Sequence, residues 1–324
     1  MHTYLHYKFY MSLESYVNNK HLTSILVAIS GGQDSLCLIK LIEDYQDKFR
    51  TYESFNIEYI YIDHQWRKDS RQQIQHIINF ANCRERKISV YEIQSLVKSE
   101  IGARNLRYQT IIQHALANRH QLILTAHTAT DRVETFFQQI IRGTSLDGVT
   151  GLHIERQINS NLRLVRPLLD FDRTEINWFC RHFYLPTWSD VTNYEYKVQR
   201  NRLRYEFIPY LRSYFTKSIE QKISSFLKIS SLENEYIKQN SIKLYLDNIH
   251  NVSIAINYKK VRTQHLCLQT RVLQVFFYHN FNKTLSCCFV YTLILKLKTL
   301  NPNKSNITWQ NFNFQMYKSW LYIY

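Results

Sequence analysis

The sequence predicts an α/β protein, a doubly wound and mostly parallel sheet followed by a smaller, mainly helical C-terminal domain. Three observations carry this. Short, nearly all-apolar runs alternate with amphipathic segments in the first half, the pattern of strands buried on both faces by crossover helices. All six glycines lie before residue 152, at Gly31, Gly32, Gly102, Gly143, Gly148 and Gly151. Beyond Tyr214 the chain turns into long stretches with few breakers, which places a boundary near 215 and gives domains of 1–215 and 216–324.

Ser24 to Ile29 (SILVAI) reads as the first strand, and Leu36, Ile39, Leu41, Ile42 and Tyr45 follow at helical spacing. Asn56–Asp63 is a second strand, with a helix over Arg71–Ala81. Ile88–Ile93 is a third, with a helix over Ile101–Ala117. Gln121–Ala126 is a fourth, with a helix over Asp131–Arg142. Gly143 to Gly151 leads into a hairpin within LHIERQINSNLRLVRPLL. A helix over Arg173–Phe183, a loop over Pro186–Tyr196 and a basic helix from Arg200 complete the first domain. Ser218–Asn248 and Gln264–Phe281 read as helices, and the alternating aromatic tail from Ile307 as strand.

Composition bounds the function. Hydrophobic residues make up 45% and charged residues 21% of the 324, enough for a packed core. The longest mainly apolar run, Cys287–Leu295, falls far short of the roughly 20 residues that span a bilayer. No basic start precedes an apolar stretch at the N-terminus, so no signal peptide is expected. Cys37, Cys83, Cys180, Cys267, Cys287 and Cys288 show no C-x-x-C spacing, which argues against zinc fingers and a disulfide framework. The formal charge of +15 points to a polyanionic partner, although AT-rich codon usage would also enrich lysine.

The first strand runs directly into Ser30-Gly31-Gly32-Gln33-Asp34-Ser35 and then a helix. That is where a parallel sheet binds phosphate, at a strand's carboxyl end against a helix N-terminus. Glycines let backbone N–H groups approach the oxygens, and the serines add hydroxyls. Asp34 would repel a bare phosphate, so its presence implies a bridging Mg2+. An ordinary turn with a Ser or Asp cap is the plain alternative. The loop is not a Walker A sequence, yet it resembles the signature of the PP-loop ATP pyrophosphatases, which implies ATP as co-substrate.

Further segments resemble one family within that superfamily, the tRNA(Ile)-lysidine synthases. Glu100-Ile101-Gly102-Ala103-Arg104-Asn105-Leu106-Arg107-Tyr108 resembles its E-x-x-A-R-x-x-R-Y element, and Ala126 to Thr135 its A-H-h-x-D-D-q-x-E-T. Arg142-Gly143, Gly151-Leu152, Arg166-Pro167-Leu168-Leu169, Asp172-Arg173-x-Glu175-Ile176, Asp190-x-x-Asn193 and Arg200-Asn201-Arg202-Leu203-Arg204 with Pro209 and Leu211 follow in the expected order. The match runs from about residue 24 to 215; beyond it, Gln269-Thr270-Arg271-Val272-Leu273 resembles a segment of the family's second domain. Thr130 and Arg132 depart from the pattern, so only Asp131 and Glu134 carry over as the acids.

Asp131 and Glu134 lie three apart and share a helix face. As N-cap and N3 they would also make a capping box, and both roles are compatible. Glu100, Arg104 and Arg107 sit at helical spacing, which suits a solvated ion-paired face or, as the resemblance implies, substrate and tRNA contacts together with His127. Lys197, Arg200, Arg202, Arg204 and Arg212 face a single acid, Glu206, with Tyr196 and Tyr205 between them; this predicts an RNA-contacting stripe, with a solvated helix face as the alternative.

The resemblance implies the reaction. The C2 carbonyl oxygen of the wobble cytidine in a CAU-anticodon tRNA(Ile) is adenylated by ATP, and the ε-amine of free L-lysine then displaces AMP. Asp34 would hold pyrophosphate through Mg2+, and Asp131 or Glu134 would bind the ammonium and help remove its proton. Two rivals stand beside this reading. A thiolating PP-loop tRNA enzyme would need paired cysteines, and a tRNA-binding module without catalysis would not need Asp34, Asp131 and Glu134. The Lys-, Asn- and Ile-rich composition favours an algal plastid stroma, with a bacterial cytoplasm as the alternative. Oligomeric state is left open, a homodimer among the options.

Overall fold

A computed structural model of the chain describes residues 2–17, 22–49, 55–63, 70–93, 100–187, 199–299 and 306–324. Asp190, Asn193, Tyr196 and Lys197 fall outside the described residues, as does the side chain of Glu100. The chain divides into two compact units, Met1–Lys228 and Ile229–Tyr324. The division falls within a helix, later than the composition change near 215.

The first unit opens with helix α1 (Tyr4–Val17) and then alternates strand and helix. β1 (Ser24–Ile29), α2 (Gln33–Phe49), β2 (Asn56–Asp63), α3 (Ser70–Asn82), β3 (Lys87–Glu92), α4 (Glu100–Ala117), β4 (Leu122–Thr125) and α5 (Ala129–Arg142) follow in order. A short α6 (Leu146–Val149), the hairpin β5 (Glu155–Gln157) and β6 (Arg163–Val165), and α7 (Arg173–His182) come next. α8 (Gln199–Arg202), a π-helical turn (Leu203–Phe207), α9 (Ile208–Tyr214) and the long α10 (Ile219–Leu246) close the segment. The sheet order is β3-β2-β1-β4-β6-β5, with every neighbouring pair parallel except β5 and β6.

Strand periodicity sorts the core into two layers. Ile25, Val27 and Ile29 of β1 join Ile57, Tyr59 and Tyr61 of β2 against buried residues of α1, α2, α3 and α7, such as Phe9, Leu38, Ile77 and Phe179. Leu26, Ile60, Ile62 and Ile123 face the other way, against Ile111 and Ala115 of α4. The apolar SILVAI run is thus covered on both faces, as its composition requires. Truncating a fully buried core side chain such as Leu38 would cost about 2–5 kcal/mol.

Strand order reverses between β1 and β4, and a crevice forms where the loops after such strands diverge. Ala28 pairs with Thr125 in register. Two residues on from each lie Ser30 and His127, so the phosphate loop and the entry to α5 leave the sheet side by side.

In the second unit, β7 (Ala255–Asn257), α11 (Tyr258–Val261), α12 (Leu266–Phe281) and α13 (Cys287–Thr299) precede β8 (Asn306–Trp309), β9 (Phe312–Tyr317) and β10 (Trp320–Ile323). The strands form an antiparallel sheet, β7-β10-β9-β8. Phe276, Phe277, Leu293, Phe314 and Leu321 fill its core. The unit is therefore helical with a sheet added, more strand than the expected tail alone. Arg271 and Gln269 act inside it: Arg271 donates to Asn234 Oδ1 at 2.6 Å, and buried Gln269 to the Arg262 and Gln264 carbonyls.

Candidate active site

The phosphate loop is held from below by α3. Gly31 sits at φ +75°, and a Cβ there would meet Ile77 Cδ1 at 3.0 Å and Gln73 Nε2 at 3.1 Å. Glycine is demanded twice, by the backbone angle and by the close approach. Gln73 Nε2 donates to the Ser30 carbonyl at 2.9 Å, and Tyr61 OH donates to Gln73 Oε1 at 3.3 Å. Gln73 went unnoticed in the sequence. Its signal was a polar side chain on the buried stripe of α3, in line with Ile77 and Phe80.

Ser35 Oγ donates to the Gly32 carbonyl at 2.8 Å, and Leu36 N to the same oxygen at 3.1 Å. The first turn of α2 thus starts directly behind the glycines, with its dipole directed at the loop. On the far side of that turn, Cys180 Sγ contacts the Gln33 carbonyl at 3.3 Å. Asp34 opens the helix, and its Oδ1 is buried without a hydrogen-bond partner. Burial, and next the Asp131 charge, push this carboxyl up to about 6, against the pull of Arg173 and Arg204.

Asp131 comes from the neighbouring loop. The capping box at the start of α5 is Thr128 with Asp131, one turn earlier than the Asp131–Glu134 box expected from the sequence. Helix α5 begins at Ala129, because Thr128 supplies the extended N-cap residue. Asp131 Oδ2 accepts from the Thr128 backbone N–H at 2.9 Å. That frees Oδ1 for guanidinium.

Arg200 and Arg204 clamp both acids. Arg200 Nη2 lies 2.6 Å from Asp131 Oδ1, and its Nε 2.6 Å from Glu134 Oε2. Arg204 Nη2 lies 3.2 Å from Asp131 Oδ1 and 3.0 Å from Glu134 Oε2. Burial alone would raise the Asp131 carboxyl, but Arg200, His127 and Arg204 outweigh it and hold it below the ordinary range. The expected basic stripe is therefore split by helical periodicity. Positions 200 and 204 face inward onto carboxylates, whereas Arg202 points out and pairs with Glu206 at 3.2 Å, its side chain 63% exposed. Arg212 pairs with Glu220 through Nε at 3.0 Å.

His127 lies between β4 and α5, on the same path out of the sheet. Its Nδ1 lies 3.0 Å from Thr125 Oγ1 and its Nε2 3.4 Å from Tyr108 OH. Burial drives the imidazole down to about 3; the charges of Arg166, Arg104 and Arg200 push the same way, against Asp131. A neutral imidazole ringed by guanidiniums suits an anionic ligand. Arg166 is a site residue that the sequence offered only as part of a motif: it is buried, and its Nη1 donates to the His153 carbonyl at 2.7 Å. Arg104 lies over the Tyr108 ring at 5.6 Å, and Arg107 is partly exposed on the same helix.

The two departures from the motif have structural roles. Thr130 is buried. Arg132, also buried, bridges Asp170 Oδ1 at 3.1 Å and Ser224 Oγ at 2.8 Å, which ties α5 to α10.

A PP-loop domain model matches residues 5–211. A chloroplastic tRNA(Ile)-lysidine synthase of Gracilaria tenuistipitata var. liui is 49% identical, covering 99% of both chains. Its counterpart in Pyropia yezoensis is 36% identical over 99% of this chain and 96% of its own, and a tRNA(Ile)-lysidine synthase of Nostoc sp. is 38% identical over 75% and 70%. Among solved structures, the U34-tRNA thiolase NcsA of Methanococcus maripaludis shares the fold, with a TM-score of 0.56 and 13% identity over 69% of this chain and 77% of that one. No helix among the described residues is long and apolar enough to cross a membrane. The chain belongs to the tRNA(Ile)-lysidine synthase family of PP-loop ATP-using enzymes.

Proposed function

We propose that this protein converts the wobble cytidine of a CAU-anticodon tRNA(Ile) to lysidine, consuming ATP and free L-lysine, in the plastid stroma. The observation that carries the reading is the pairing of loops at the sheet's reversal point. Asp34, from the phosphate loop, has a buried and unpartnered oxygen, and its carboxyl is raised in part by the charge of Asp131 from the next loop.

ATP would lay its phosphates against the N–H groups of Gly31 and Gly32 and the N-terminus of α2. The orphaned Asp34 oxygen fits a divalent cation, so Asp34 would hold Mg2+, whose charge would offset that of the departing pyrophosphate. The cytosine O2 attacks the α-phosphorus, the bond to pyrophosphate breaks, and C2 becomes electrophilic. Arg104, Arg166 and the neutral His127 supply positive potential and hydrogen-bonding capacity around the adenylated base.

Lysine Nε then bonds to C2, and the C2–O2 bond breaks as AMP leaves. The Asp131 side chain is 11% exposed and that of Glu134 is 0%, so we assign the lysine ammonium to Asp131. Glu134 is a positioning residue that holds the Arg200 and Arg204 forks. Arg200 and Arg204 hold Asp131 Oδ1 in this structure, so the ammonium would take the place of a guanidinium there; a carboxylate held that low is a weak base, so the amine loses its proton to water before attack. Exposed Arg202 and partly exposed Arg107 are the candidates for tRNA phosphate contacts.

The test is incubation with ATP, radiolabelled lysine and an unmodified tRNA(Ile) transcript. Lysine should enter the tRNA with one AMP formed per lysine. Tight tRNA binding with no lysine incorporated would reduce the protein to a binding module.

A further inference from the structure

At the opposite end of the same strands, Glu58, His114 and His120 form a buried cluster away from the ATP site. Glu58 lies near the start of β2, His114 near the end of α4, and His120 just before β4. Ser24, which contacts the cluster, opens β1, and six strand steps of about 3.3 Å put it roughly 20 Å from the phosphate loop.

Both imidazoles offer Nε2 to one carboxylate. His114 Nε2 lies 3.1 Å from Glu58 Oε1, and His120 Nε2 lies 3.3 Å from Oε2. Their other nitrogens are anchored on hydroxyls, His114 Nδ1 on Tyr91 at 2.9 Å and His120 Nδ1 on Ser24 at 2.6 Å. Such partners orient metal-binding histidines. A pair of hydrogen-bonded histidines would explain His114 but not His120. The buried His120 Nε2 faces Oε2 without hydrogen-bond geometry and has no other partner. A cation seated there would give that nitrogen a partner.

The two short contacts run to different Glu58 oxygens, so a tetrahedral ion would draw the two imidazoles in towards one of them. Bonds of 2.0–2.1 Å set ligand atoms about 3.3 Å apart. Glu58, His114 and His120 form the one cluster of three His, Cys, Asp or Glu side chains among the described residues whose ligand atoms all lie within 4.8 Å of one another. Imidazole donors select zinc-like ions over Mg2+. Two donors compete for Glu58: Ser89 Oγ donates to Oε1 at 2.8 Å, and Lys87 Nζ lies 3.1 Å from Oε2, but the Lys87 side chain is 64% exposed and can swing away on its flexible stem.

We propose that Glu58, His114 and His120 bind one Zn2+-class ion, with water as the fourth ligand, which clips the α4–β4 connection to the start of β2. The full-length protein, stripped with chelator, would be titrated with Zn2+ and with Co2+. The expected result is one equivalent bound, a rise in Tm, and a Co2+ spectrum without a sulfur charge-transfer band. His114→Gln with His120→Gln should weaken Zn2+ binding more than 100-fold. Should that pair fail to fold, Lys87→Met serves instead, and it should tighten binding several-fold by removing the competing charge. The proposal is overturned by no stoichiometric Zn2+, by a sulfur-bound Co2+ signal, by the double variant keeping the metal, or by Lys87→Met leaving affinity unchanged.

Discussion

Replacing Gly31 by alanine adds one carbon atom where the structure has no room for it. The residue sits at φ +75°, where an L side chain costs about 1–2 kcal/mol. The new Cβ would lie 3.0 Å from Ile77 Cδ1 and 3.1 Å from Gln73 Nε2, closer than the roughly 3.5 Å at which carbon atoms attract. If Gln73 moves aside, its hydrogen bond to the Ser30 carbonyl is lost, at about 0.5–1.5 kcal/mol. The sum, about 1.5–3.5 kcal/mol, is either spent by a destabilised fold or avoided by a displaced loop. Gly32 is the control, since a Cβ there meets only Ser30 Oγ at 3.6 Å and no positive φ is involved. Urea unfolding and tRNA-dependent pyrophosphate release would be measured on both variants. Gly31→Ala should lose stability or at least about tenfold in ATP-dependent turnover, as 1.4 kcal/mol is a factor of ten. Gly31→Ala matching the parent in both assays would refute the cradle.

Three further outcomes follow from the charges. Asp34 is raised from 3.8 to about 6, so the folded protein holds this proton to higher pH than the unfolded chain and loses stability as pH rises between those values. Asp34→Asn, without nucleotide or Mg2+, should therefore be inactive yet more stable than the parent by about 1–3 kcal/mol at pH near 7.5, with no gain at pH near 4; urea titrations at both pH values decide it. Glu134→Gln leaves two guanidiniums short of a charge. Breaking a buried pair costs about 3–5 kcal/mol, which partial exposure of Arg200 and Arg204 and the retained amide oxygen reduce to about 1–3, and an unchanged urea midpoint would contradict the clamp. Lysine incorporation limited by amine attack should rise about tenfold per pH unit through neutrality, given an amine pKa near 10.4; a flat profile would mean that another step limits.

The alternation of apolar and amphipathic runs made the sheet legible, because strands buried on both faces leave no other pattern. The Ser30–Ser35 loop was legible for the same reason that it works, since few other sequences allow the backbone to approach phosphate. Helix α1 was not read, because its buried face carries His6 and Tyr10, and while Thr3 next to it holds His6 Nδ1, the partner of Nε2 is Asp44, at 2.9 Å and far along the chain. The start of α5 was misjudged by one turn because Thr128 and Asp131 were both competent caps and only the path out of β4 chose between them. Arg200 and Arg204 looked like RNA contacts because net charge says nothing about direction. Their partners, Asp131 and Glu134, stand more than sixty residues earlier in the chain, and only the fold brings them together.

A crystal structure with a non-hydrolysable ATP analogue and Mg2+ would test most directly whether β1 and β4 build a shared cleft. The triphosphate should lie on the N–H groups of Gly31 and Gly32, with Asp34 beside the metal and Asp131 facing the same space. Phosphates bound on another surface, or the N-terminus of α5 turned away from them, would contradict the assignment.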